Sequence, residues 1–177
     1  MIFMKRFPTL EKLLPVYSIV VVVIYSWSLL RFFWRLPSLL FYSTAGEIAI
    51  TYAYLVAVNF LESIVILLAL IILSIILPGR WFFDRFVTKS VLLVSLGLWY
   101  LGYIASHISA EAPYPYDLIR WSPAVAVLIF ALVFLLDQVG FLRKIILGLA
   151  DSLIVFLFIS IPISVISLLV VIVRNIF

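Results

Sequence analysis

Residues 48–77, IAITYAYLVAVNFLESIVILLALIILSIIL, decide the fold. The stretch holds one charged side chain, Glu62, and as a helix it is about 45 Å long at 1.5 Å per residue. That exceeds the roughly 30 Å hydrocarbon core of a bilayer. Residues 64–73 are apolar on every face apart from the backbone, so the alternating polarity of a membrane β-barrel strand does not fit. Pro78 and Gly79 end the run.

Working outward, apolar length read against charged stops gives spans near residues 13–30, 49–77, 91–108, 121–136 and 152–173. The expectation is an all-α, polytopic membrane helix bundle of about five transmembrane helices with short interfacial connections, in a single domain over residues 1–177. Composition agrees: 67% of residues are apolar and 11% charged, with a mean hydropathy of +1.36. The amino-terminal stretch, with Lys5, Arg6 and Lys12 ahead of an apolar core, resembles a secretory signal. Its charge-free run from Leu13 to Leu30 is about 27 Å long, which suits a retained span.

The net charge of +4 does not point to nucleic acid, because the Lys and Arg residues sit singly or in pairs at the ends of apolar runs. They read as lipid-phosphate contacts and orientation signals. Lys5, Arg6, Lys12, Arg80, Arg85, Lys89, Arg143 and Lys144 fall on one side, and Arg31, Arg35, Arg120 and Arg174 on the other. The positive-inside rule then predicts a cytoplasmic amino terminus and an outside carboxyl terminus. The connections Arg31-Phe-Phe-Trp-Arg35 and Arg80-Trp-Phe-Phe-Asp-Arg85 pair rings with guanidinium groups, as expected where headgroups meet hydrocarbon.

Polar residues inside the spans are the candidates for function. Glu62 lies 15 residues from Leu77, about 22 Å along the helix axis, and Asn59 shares its face. The same ruler, run from Lys89, puts the sole histidine, His107, at similar depth. These residues predict an outward-facing polar cavity with Asn59 and Glu62 at its floor and His107 with Arg31 or Arg120 at its rim. Glu62 then has three uses open to it: holding a proton, pairing with an arginine, or binding a substrate cation. The plainer alternative is an interhelical hydrogen bond that fixes helix packing. Asp137 and Asp151 form a second candidate cluster on the inner side, Asp151 reading as a cap on the fifth span and Pro162 as a kink within it.

Zero cysteines exclude disulfides and thiolate metal sites, and one histidine does not make a zinc site. Phosphate-loop, His-Glu-x-x-His and Gly-x-Ser-x-Gly motifs are absent. No catalytic, cofactor-binding or metal-binding residue is therefore assigned, and no cofactor. The expected function is a non-enzymatic subunit or scaffold of a membrane complex, its partners being lipids and either another membrane protein or further copies of itself. A small transporter, channel or ligand-binding bundle using the cavity at Glu62 is the alternative, and a lipid-modifying enzyme using Glu62 and His107 the second.

Overall fold

The computed structural model describes residues 8–77, 82–108 and 116–176, and every regular element among them is helical. Two long helices come first, α1 (Leu10–Tyr42) and α2 (Ala45–Ile76). A 3-10 turn, Phe83–Arg85, leads into α3 (Phe86–His107). The short α4 (Tyr116–Arg120) precedes α5 (Ser122–Asp137), α6 (Gly140–Leu153) and α7 (Val155–Ile176). Four of these helices are long and apolar enough to cross a membrane, and a fifth span arises if the bent pair α5–α6 counts as one. Such a set is compatible with a multi-pass membrane protein.

Helices α1 and α2 are joined through Ser43 and Thr44 alone, and local hydrogen bonds explain the sharp reversal. The Ser43 N–H closes α1 on the Leu39 carbonyl, and a reciprocal Thr44–Glu47 box opens α2, with Glu47 Oε2 accepting from the Thr44 N–H at 2.7 Å. Further down the hairpin the Ser28 hydroxyl donates to Asn59, and the Phe32 and Tyr52 rings meet at 5.4 Å.

Helix α1 is the axis of the bundle, with α2, α3, α6 and α7 all packed against it. Val16, Val20 and Ile24 meet Leu70 and Ile71 of α2, and Phe86 and Val94 of α3, in the main core. Ile19 joins Val91, Ile146 and Ala150 in a smaller one. Helix α5 runs antiparallel to α3, since Asp137 reaches Arg85 and Lys89 at one end while Tyr100 donates to the Leu118 carbonyl toward the other. Helix α7 then returns along α2, with Tyr25 bonded to Ser164 and Asn175 to Tyr54. The beginning of α1 and the end of α7 thus lie at opposite ends of the bundle.

Helix α6 bends 99° away from α5. Its sequence accounts for the direction: Leu142, Ile146, Ala150 and Leu153, spaced by three or four residues, turn inward, whereas Arg143, Lys144 and Asp151 are exposed. The Ser18 hydroxyl, shared between the Pro15 carbonyl at 2.8 Å and the Ala150 carbonyl at 3.1 Å, links it to α1.

Several sequence boundaries are corrected. The first span does not stop at Leu30, because α1 runs on as helix through Arg31 and Arg35 to Tyr42, so the first aromatic connection is helical. A charged residue ends burial in an apolar layer, but it does not interrupt i to i−4 hydrogen bonding. Lys89 stands inside α3 and not in the loop before it. The fifth span begins at Val155, and Ser152 belongs to α6. Asp151 is therefore no cap: it is exposed on α6, and its carbonyl accepts from the Ile154 N–H. Ser164 bonds to the Ser160 carbonyl, which leaves the Phe158 carbonyl, freed by Pro162, uncompensated by that hydroxyl. Lys5, Arg6, Pro78, Gly79, Arg80 and Trp81 lie outside the described residues.

Candidate functional site

Between α1 and α3 opens a cleft of about 900 Å³, into which α2 contributes Glu62. Its walls come from Val22 to Leu30 of α1 and Ser95 to Ser106 of α3, and they are mainly apolar and aromatic. The Trp27 ring lies beside Gly102 of α3, where an added Cβ would make an ordinary van der Waals contact at 3.5 Å. Trp99 and Tyr103, one turn apart on α3, stack with ring centroids 6.2 Å apart and an interplanar angle of 21°. Both remain exposed on the cleft side.

Glu62 is the only charged residue among the described residues that line the cleft. Its side chain is exposed, and it takes part in no hydrogen bond or ion pair among the described residues. Asn59 lies one turn away but is buried, at 3% exposure; it accepts from Ser28 at 2.8 Å, and its Nδ2 has no acceptor among the described residues. Ser28 itself lines the cleft, so the buried amide stands directly behind the wall.

The other residues expected at a cavity rim do not converge on it. Arg31 lies with its guanidinium carbon 5.1 Å from the Trp27 ring centroid, close to the cleft but outside its lining. His107 is exposed at the end of α3, where Nδ1 lies 2.9 Å from the Tyr103 carbonyl, a contact that requires the proton on that nitrogen. Its ring rests on Tyr103 at 4.5 Å. Arg120 is exposed at the end of α4 and likewise outside the lining. Among the described residues no three His, Asp or Glu side chains come together, and nothing aligns a nucleophile with a base at Glu62.

The second cluster is rearranged. Asp137, 4% exposed, meets Lys89 Nζ at 3.7 Å and Arg85 at 3.3 Å, with the same guanidinium donating to the Asp137 backbone carbonyl at 3.1 Å. Lys89 is also 4% exposed and lies over the Phe134 ring at 4.9 Å. Asp137 Oδ1 has no hydrogen-bond partner among the described residues. Asp151 takes no part. Sequence reasoning treated Arg85 and Lys89 as orientation charges only, although their placement at the same end as Asp137 was the signal that pairs them.

No protein family, curated protein or solved structure matches the chain. The function is therefore read from the two sites themselves.

Proposed function

We propose that the chain is a multi-pass integral membrane protein that binds a small amphiphilic ligand in the cleft between α1 and α3 and performs no chemistry on it. One observation carries this reading: Glu62 opens into an aromatic-walled cleft of about 900 Å³ without a partner among the described residues. That volume lies within the usual range for small-molecule sites, which are mostly apolar with a few fixed polar groups. A carboxylate kept inside an otherwise apolar span is expensive unless it is used.

Transport is less well supported than binding. On α3 the buried Val91 and Val94 stand between Ser95 of the cleft and the buried Lys89. Catalysis is less supported still, since His107 bonds to its own helix. In the proposed orientation the end carrying Lys12, Arg85, Lys89, Arg143 and Lys144 faces the cytoplasm.

Thermal unfolding in maltoside micelles against a panel of amphiphiles tests the reading, because a ligand that binds only the folded state raises Tm. A rise that disappears in Gly102→Leu, whose side chain fills the cleft, supports it. If no amphiphile shifts the parent, or Gly102→Leu responds equally, the reading fails.

A second reading, that of a subunit or scaffold, has its own observation. At about 50 Å, α1 would need a tilt of more than 50° to stay within a 30 Å core, beyond the usual range of 0–40°. The α1–α2 hairpin therefore extends past that core, presenting Phe33, Trp34, Phe41 and Tyr42 exposed at its end. Recovery of a stable complex that is lost on replacing these aromatics by serine would promote it.

A further inference from the structure

We infer that the cleft ligand is an organic cation, an alkyl- or arylammonium whose charged head lies between Glu62 and the aromatic wall while its apolar body fills the rest. This rests on the binding role proposed above and names the ligand's chemistry. Charge complementarity carries the argument. Among the described lining residues there is one formal charge, the Glu62 carboxylate, and no Lys, Arg or His offsets it from within the lining. An anionic head placed against Glu62 would face a carboxylate with no cation among the described lining residues, and a neutral head would leave that carboxylate unmatched.

The aromatic residues add a second, independent preference. Trp27, Trp99 and Tyr103 present ring surface to the same cavity, and indole faces attract cations through their quadrupole. Trp27 already shows that behaviour within the chain, since the Arg31 guanidinium lies over its ring at 5.1 Å. A set of electron-rich rings closed by one carboxylate is the arrangement that recognises quaternary and alkyl ammonium groups. Leu30, Leu98 and Leu101 supply apolar wall for the remainder of the ligand.

The cation has two possible sources: a choline-type lipid headgroup, which brings a phosphate with it, or a free lipophilic amine. Both share the ammonium that Glu62 would meet. Arg31, just outside the lining, is where the phosphate of the first would find a counter-charge.

The test uses the full chain in maltoside micelles, with Trp34, Trp81 and Trp121 changed to Phe so that emission reports on Trp27 and Trp99. Decyltrimethylammonium, decylphosphocholine and decyl maltoside are titrated into the parent, Glu62→Gln and Trp99→Leu. Decyltrimethylammonium is expected to bind at least about 10-fold more tightly than decyl maltoside, with the preference lost in Glu62→Gln and weakened in Trp99→Leu. Decylphosphocholine matching the trimethylammonium compound identifies a choline headgroup as the source; much weaker binding identifies a free amine. Equal binding of all three, or a cation preference that survives in Glu62→Gln, overturns the inference while leaving a ligand-binding cleft standing. If none of the three alters the emission, the binding role fails with it. Because Glu62 and Trp99 are both exposed, both variants retain the fold, as unchanged thermal unfolding without ligand would verify.

Discussion

Replacing Lys89 and Asp137 singly and together tests how the bundle holds its buried charges. At 3.7 Å and an effective dielectric of about 20, their attraction is about 4 to 5 kcal/mol, set against the desolvation of two groups that are each 4% exposed. Removing one partner of such a pair typically costs about 3–5 kcal/mol, because the other charge stays buried. Asp137→Leu takes the carboxylate from both cations and should lie in that range. Lys89→Met should cost less, about 2 kcal/mol, because Arg85 at 3.3 Å still serves Asp137 and is itself partly exposed to solvent. The double variant, Lys89→Met with Asp137→Leu, should come within about 1 kcal/mol of the parent, since an apolar replacement of a buried pair is often close to neutral. The assay is equilibrium unfolding in mixed micelles of maltoside and dodecyl sulfate, read by circular dichroism. Single changes that each cost under about 1 kcal/mol and simply add would show that the two charges do not act as a unit, refuting the argument.

Three further outcomes follow from the same geometry. Ser28→Ala removes the hydroxyl that donates to the buried Asn59 amide and should lower stability by about 1 kcal/mol, whereas Ser28→Ala in an Asn59→Leu background should cost almost nothing; thermal unfolding of the three variants checks this. Thr44→Ala dismantles the capping box and should cost about 1 kcal/mol, seen as faster amide exchange at Glu47 and Ile48 with little change at Leu70. Single cysteines introduced by Glu11→Cys and Asn175→Cys into this cysteine-free chain should react with a membrane-impermeant maleimide from opposite faces of sealed vesicles. Labelling of both from one face would remove α5 from the set of crossings.

What the sequence showed depended on how local the signal was. Residues 48–77 announce α2 because their apolarity is continuous, and no tertiary information is needed to read it. The end of α1 was hidden by Arg31 and Arg35, since a rule for leaving hydrocarbon says nothing about where a helix stops. Helix α6 was equally hidden: residues 137–151 read as the connection between the fourth and fifth spans, because Arg143, Lys144 and Asp151 are charged and only the inward face of Ile146 and Ala150 marks a helix there. Glu62 stood out by its chemistry. Its aromatic neighbours did not, because Trp27 and Trp99 lie 72 positions apart and meet only through the packing of α1 beside α3.

The bond from Ser18 to Ala150 spans 132 positions of chain, which bears on how the molecule is made. At about 5–20 residues per second, the ribosome delivers the acceptor on the order of 10 s after the donor. Throughout that interval the Ser18 position of the first helix lacks its cover from α6, whereas Val16 and Val20 already have their partners on α2 and α3. Maturation therefore waits on the last two helices, and a chain cut after Asp137 should leave a cysteine at position 18 open to a lipid-soluble maleimide that cannot reach it in the finished protein.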